Sequence, residues 1–205
     1  MDPDGHAALE RWWFAAVDAG IAGSGSVEAH LGRARAFAQA RGGPADRFCD
    51  LGTGPGMPGL VLALLWPEAR GVLIDATERR VAFVEQWVRE LGVAGRITVE
   101  HGRAEVLAHQ EGFRHEFDTV VARSFGPPAV VAECASGFLA LAGVALVSEP
   151  PEDSPIAERW PADGLATLGL VDRGQVAGVR RLEAASLVDE RWPRRDGRPA
   201  KRPLW

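Results

Sequence analysis

Apolar positions recur along the chain with two different periods. Over residues 8–20 and 26–41 the spacing is helical; Ser26 has the chemistry of an N-cap for the second helix, and Gly42-Gly43-Pro44 ends it. From residue 46 short apolar strands alternate with helices. Strands are predicted over 47–51, 71–75, 96–100, 117–122 and 144–148, with helices over about 58–66, 78–91 and 128–141. In the helix at 78–91, Thr77 can cap the start, Glu78 suits its positive end, and Val81, Phe83, Val84, Trp87 and Val88 form the inward face. Repeated strand and helix units of this length imply a mainly parallel sheet covered on both faces. After Pro150 the pattern changes: apolar stretches at 165–171 and 175–182 flank Asp172-Arg173-Gly174, a hairpin signal. The expected architecture is an α/β doubly wound sheet with C-terminal antiparallel strands. Residues 1–45 supply N-terminal helices packed on the core, 46–190 the core, and 191–205 a proline-punctuated loop, all in one domain.

Length and charge narrow the classes open to such a chain. At 205 residues a single core accounts for it, and 46% hydrophobic with 25% charged residues is ordinary for a globular protein. The formal net charge is −5. Residues 191–205 hold six basic side chains against Asp196, so that segment is +5 and the remainder −10. An acidic body argues against broad nonspecific nucleic-acid binding, whereas a basic appendage permits a local phosphate contact. Cys49 and Cys134 are isolated, with no His at ligand spacing, so neither a disulfide framework nor a metal site is expected, and a reducing cytoplasm is the expected location. The first residues lack a basic segment followed by an apolar core, so no signal peptide is expected. The longest apolar run, 129–148, contains Glu133 and two glycines and reads as a buried helix and strand, not as a membrane span.

The segment richest in chemistry is Asp50-Leu51-Gly52-Thr53-Gly54-Pro55-Gly56-Met57-Pro58-Gly59. Glycines after a strand let the backbone turn sharply and approach a ligand, and the following helix start offers free amides. Gly54, Gly56 and Gly59 satisfy a dinucleotide pattern, while Gly52, Gly54 and Gly56 preceded by Asp50 satisfy the loop of S-adenosylmethionine (SAM) enzymes. Asp50 favours the second, because a carboxylate suits an ammonium and a sulfonium and repels a pyrophosphate. Asp75 ends the second strand, where an acid can accept both ribose hydroxyls. His101-Gly102-Arg103-Ala104-Glu105 follows the third strand, at the edge that would frame an adenine; His101 is not expected to act as a general base. Arg123 follows the fourth strand, where it could hold the cofactor or a guanine O6. No Asn/Asp-Pro-Pro-aromatic tetrad occurs there, which disfavours adenine N6 or glutamine as methyl acceptor.

At residues 50–59, 73–75 with 79–81, 101–105 and 121–124, and in the tail at 191–204, the chain resembles the small-subunit ribosomal RNA guanine-N7 methyltransferases, the RsmG or GidB family. The resemblance implies a Rossmann-like class I SAM methyltransferase fold, with SAM on Gly52, Met57, Asp75, Ala104, Glu105 and Arg123. Asp50, Gly54 and Gly56 join that set from the loop pattern, and Arg123 is the candidate catalytic residue. Ribosomal RNA or the 30S particle is the implied partner, contacted through Arg194, Arg195, Arg198, Lys201 and Arg202. Two segments depart from the family: its Asn-Leu-Thr is absent from the N-terminal helices, and Ser148-Glu149-Pro150-Pro151-Glu152-Asp153 stands where it has Lys-Gly. The readings left open are a small-molecule or other RNA acceptor and a noncatalytic SAM-binding or nicotinamide-binding protein. Removing residues 191–205 is expected to weaken RNA binding and leave SAM affinity nearly unchanged, unless Trp192 and Leu204 strap the tail to the core.

Overall fold

The structure is a computed structural model that describes residues 3–150, 159–195 and 197–205. In chain order its elements are α1 (Pro3–Asp18), α2 (Val27–Arg41), β1 (Arg47–Leu51), α3 (Gly59–Leu65), β2 (Arg70–Asp75), α4 (Glu78–Glu90), β3 (Ile97–His101), α5 (Ala104–Leu107), β4 (Phe117–Ala122), α6 (Pro128–Phe138), β5 (Leu139–Ser148), α7 (Ala162–Thr167), β6 (Leu170–Val176), β7 (Val179–Ala184) and α8 (Arg198–Lys201). The sheet order is β3-β2-β1-β4-β5-β7-β6. Strands β1 to β5 run parallel, and β7 is antiparallel to both β5 and β6. The doubly wound expectation with antiparallel C-terminal strands therefore holds.

Side-chain alternation along the strands sends residues to two cores. Phe48, Leu73, Ile97, Val121 and Leu146 face the layer built by α1, α2, α3 and α4. Cys49, Leu51, Ile74, Val120 and Val147 face α5, α6, α7 and the C-terminal segment. Helix α2 begins and ends as its sequence dictates: the Ser26 hydroxyl accepts from the Ala29 N–H, and Gly42 closes the last turn with φ +83°. Thr77 occupies the N-cap of α4 without a side-chain hydrogen bond.

Several details differ from the sequence expectation. Helix α6 stops at Phe138 and the chain enters β5 at once, five residues early, through a register shift opposite Phe117 and Thr119 and a left-handed Ala142 (φ +63°). The hairpin turns at Ala177-Gly178 instead of Asp172-Arg173-Gly174. Both turn residues have positive φ, as a two-residue primed turn requires, and Gly174 instead serves a bulge in β6. Residues 165–167 lie in helix α7, with Leu165 in the core, not in a strand.

The tail is not a free loop. Trp192 is buried with the α6 side of the core, and Arg114 donates to the Trp192, Val188 and Asp189 carbonyls. Arg194 grips Glu133, which is 0% exposed on α6: its backbone N–H, Nε and Nη2 reach the carboxylate at 2.7, 2.9 and 2.7 Å. Further along, the Trp205 indole N–H donates to the Arg159 carbonyl while its ring packs on Gly164.

Candidate functional site

The carboxyl ends of β1, β2, β3 and β4 place four loops around one trough, the position where open parallel sheets bind ligands. The first loop rests on Asp50, which is fully buried. Its Oδ2 accepts from the Thr53 hydroxyl at 2.6 Å and the Gly59 N–H at 2.8 Å, tying the loop to the start of α3. Its Oδ1 is buried without a partner among the described residues. Burial pushes the carboxyl up to about 7, against the two hydrogen bonds and the Arg123 charge that lower it. Gly52 turns with φ +64°, and a Cβ there would lie 2.7 Å from the Phe125 ring, so only glycine lets the loop close against the β4 loop.

One end of the trough is a cavity of about 260 Å³ whose carboxylates come from Asp75 and Glu105. Asp75 accepts from the Gly54 and Thr77 N–H groups at 2.9 Å each, so its two oxygens are fixed between the glycine loop and α4. Glu105 accepts from Arg103 Nε at 2.6 Å and from the Gly197 N–H at 3.1 Å. Pro199 and Ala200 of the tail form part of the same wall. His101 is exposed, with Nε2 3.2 Å from the Ala76 carbonyl.

The other end is a cavity of about 250 Å³ that shares Gly52, Arg80 and Ser124 with the first. Here Arg123 donates from Nη2 to His30 Nδ1 at 2.9 Å, which requires a neutral imidazole protonated at Nε2. Burial first, then the Arg123 and Arg33 charges, lower the His30 pKa and hold it in that form. The Trp13 ring lies against His30 with centroids 4.1 Å apart. The neighbouring Trp12 donates its indole N–H to the Pro55 carbonyl at 2.8 Å, so α1 braces the glycine loop as well. Ser124 sits at the junction with φ +53°, a strained conformation for a residue with a Cβ.

Residues 30–149 match the model of a family described as rRNA small subunit methyltransferase G (GidB). The chain belongs to this family. A ribosomal RNA small subunit methyltransferase G from Moorella thermoacetica is 31% identical over 171 residues, covering 78% of this chain and 70% of that protein. One from Deinococcus radiodurans is 33% identical over 177 residues, covering 80% and 70%. Among solved structures, a geranyl diphosphate methyltransferase in complex with SAM superposes with TM-score 0.56 at 18% identity, covering 82% of this chain and 76% of that one. The [4+2]-cyclase SpnF superposes with TM-score 0.57 at 19% identity, covering 75% and 62%. These likenesses show the fold, that of the class I SAM methyltransferases.

In this GidB family chain the expected cofactor residues fall into two groups. Gly52, Asp75, Ala104 and Glu105 line the carboxylate end, and Gly52, Gly54, Met57 and Arg123 line the other. Asp50 and Gly56 line neither cavity. Asp50 lies beneath the loop, and Gly56 packs against Leu60, where a Cβ would be 2.4 Å from its Cδ1. Of the tail residues expected to meet RNA, Arg195, Arg198, Lys201 and Arg202 are exposed. Arg194 departs from the expectation: its guanidinium is committed to Glu133 inside the protein. The departure at Glu149 also changes meaning. That carboxylate is buried and bracketed by Arg159 at 2.8 Å and Arg180 at 3.6 Å, so it presents no bare negative charge; Glu152 and Asp153 lie outside the described residues. Sequence reasoning missed Trp13 and His30. Helical spacing placed them in packing helices, and nothing local indicated that α1 and α2 form a wall of the trough.

Proposed function

We propose that this chain is a SAM-dependent methyltransferase that transfers a methyl group to a guanine N7 of small-subunit ribosomal RNA. Family membership supports the activity and the RNA substrate. The single structural observation that carries the reading is the layout of the trough, with Asp75 and Glu105, each beside an arginine, at one end and the Arg123–His30 pair at the other, joined at Gly52, Arg80 and Ser124. SAM fits it. Its adenosine needs acceptors for two ribose hydroxyls, which Asp75 presents at the end of β2; its sulfonium and ammonium suit the field of Asp50, Asp75 and Glu105; and the Gly54 backbone approaches without a Cβ. A pyrophosphate would meet the same carboxylates at a cost.

When bound, the cofactor supplies an electrophilic methyl group. The chain's own residues position the partners. Asp75 holds the ribose, Glu105 and Ala104 frame the base, and Gly52, Gly54 and Met57 shape the floor. Arg123, held by His30, points its remaining N–H groups at the acceptor. Guanine N7 has an in-plane lone pair and no proton, so no side chain has to remove one, and alignment supplies most of the rate effect. Arg195, Arg198, Lys201 and Arg202 supply phosphate contacts beside the cofactor end.

The deciding experiment presents labelled SAM together with 30S particles, naked ribosomal RNA and a metabolite extract. Label on small-subunit RNA, with chain cleavage at a methylated guanine N7, is the expected result. SAM binding without transfer to either RNA, or transfer to the extract alone, would overturn it.

A further inference from the structure

Beyond Arg123 the trough continues into a third cavity, of about 430 Å³, between α2, the β4 loop and the β6–β7 turn. Two guanidinium groups flank it, Arg33 from α2 and Arg123 from the end of β4. Arg33 is one turn beyond His30 and exposed, and it makes no hydrogen bond or ion pair among the described residues. The other arginines of α2 are occupied, Arg35 with Glu28 at 3.0 Å and Arg41 with Asp118 at 3.2 Å. Among the described residues Arg123 has His30 as its one hydrogen-bond partner, a neutral group, and no carboxylate within ion-pair distance. Arg33 is near enough that its charge lowers the pKa of Arg123, after burial, and also that of His30.

The rest of the wall does not cancel this charge. Glu149 is matched by Arg159 and Arg180, and Arg180 also reaches Asp172 at 3.0 Å. The charged side chains of the lining are Arg33, Arg123 and Glu149, and because Glu149 is already matched the two arginines are left to face the cavity, where Ser124 and Ser148 add hydroxyl donors. Like charges flanking a cavity repel until an anion enters, and a guanidinium fork matches a phosphate's oxygens. We propose that Arg33 and Arg123 form a phosphodiester clamp that seats a phosphate of the acceptor nucleotide, with its base directed toward Trp13 and His30 through the shared Arg123–Ser124 opening. The clamp rests on the reading of this chain as an RNA methyltransferase and adds to it a substrate residue, Arg33, that belongs to none of the short motifs at 50–59, 73–81, 101–105, 121–124 and 191–204.

Because Arg33 is exposed and unpaired among the described residues, its substitution tests binding without a folding penalty. In Arg33→Gln the KM for the RNA substrate should rise roughly tenfold, as for loss of one charged hydrogen-bonding contact, and more in Arg33→Glu. The slope of log affinity against log salt should become shallower by about 0.7, the share of one single-strand phosphate. Turnover at saturating RNA, SAM affinity and melting temperature should stay at parental values, and Arg33→Lys should keep most of the salt slope. A second arm titrates guanosine 5′-monophosphate, guanosine and inorganic phosphate into the SAM-loaded protein. Nucleotide binding that weakens in Arg33→Gln while guanosine binding does not supports the clamp, and it does so even if no methyl reaches RNA, a result that would instead sink the RNA methyltransferase reading. Inorganic phosphate binding as tightly as the nucleotide would reduce the pair to an unselective anion site and overturn the assignment. Arg33 variants with parental RNA affinity, salt slope and nucleotide binding would overturn it outright.

Discussion

Arg194 separates two accounts of the basic tail, because an RNA contact and an internal strap respond oppositely to its removal. Arg194→Met leaves Glu133, 0% exposed in an apolar helix, with the Arg194 backbone N–H as its remaining donor. Breaking a buried ion pair from one side costs about 3–5 kcal/mol. The surviving backbone hydrogen bond, and an Arg194 side chain that is 23% exposed, place this pair at the lower end, about 3 kcal/mol. At roughly 2–4 °C per kcal/mol for a chain of this size, the melting temperature should fall by roughly 6–12 °C. Glu133→Gln combined with Arg194→Met removes both charges and should recover much of the loss, so a double-mutant cycle isolates the pair. Calorimetric melts with and without S-adenosylhomocysteine read both effects. Cofactor affinity should fall too, since the strap positions Gly197 on Glu105 and Pro199 and Ala200 on the cavity wall. For the same reason, deleting residues 191–205 should impair SAM binding and cooperative folding, contrary to the expectation from sequence. An Arg194→Met protein that melts within about 1 °C of the parent while its RNA salt slope drops by about 0.7 would refute the strap.

Three further outcomes follow from the loop and its supports. Gly52→Ala, which combines a left-handed φ with a Cβ 2.7 Å from Phe125, should abolish SAM binding and lower stability; Gly54→Ala shares the left-handed φ (+59°) but meets nothing nearer than 3.9 Å, so it should fold with a smaller loss of stability and with SAM affinity reduced, as titration calorimetry and melts can show. Asp50 has a folded pKa raised from 3.8 to about 7, so between those values the folded chain holds a proton that the unfolded chain has lost; its penalty is full above pH 7, fades as pH falls toward 4, and is absent below. The stability gained by Asp50→Asn should therefore be larger at pH 8 than at pH 5 in urea titrations, and an equal difference at both would contradict the assignment. Trp12→Phe removes the hydrogen bond to Pro55 and should cost about 1 kcal/mol, with a matching loss of SAM affinity that a purely packing role would not produce.

The parts of the fold that were legible in the sequence are those where periodicity and punctuation agree. Strands 47–51 and 117–122 were placed to the residue, because each is an apolar run bounded by polar or glycine-rich segments. The hairpin was misplaced because Asp172-Arg173-Gly174 has turn composition and Ala177-Gly178 has less of it; pairing with β7 decided the register, and an alanine was carried to φ +51°. Asp75, Ala104 and Glu105 were legible because strand ends in such sheets face the ligand. Trp13 and His30 were not, since only tertiary packing brings α1 and α2 over the glycine loop. The basic tail and its resemblance to the family assign Arg194 to RNA contact, whereas its guanidinium is held by Glu133. A contrary signal existed: Glu133 is the one acid in the apolar run 129–148, and a carboxylate there needs a cation from elsewhere in the chain.

Net charge was the least informative property of the sequence, and the structure explains why. The acidic excess does not spread evenly over the surface around the trough. Asp50, Asp75 and Glu105 gather where a cationic cofactor would lie, the last two beside Arg80 at 3.7 Å and Arg103 at 2.6 Å, while Glu149 and Glu133 are matched by Arg159, Arg180 and Arg194. Open to an anionic acceptor are Arg33 and Arg123 in the third cavity and the exposed Arg195, Arg198, Lys201 and Arg202 on the tail. Along the trough Asp75 and Glu105, each beside an arginine, give way to Arg123 and Arg33, which have no carboxylate within ion-pair distance among the described residues, although the chain as a whole is at −5. Over distances shorter than a Debye length, about 8 Å at physiological ionic strength, that local arrangement governs binding more than the total does. A substrate with phosphates on one side and a neutral, nucleophilic base on the other matches the sequence of fields it would meet, whereas a uniformly basic surface would bind RNA without choosing which nucleotide reaches the methyl group.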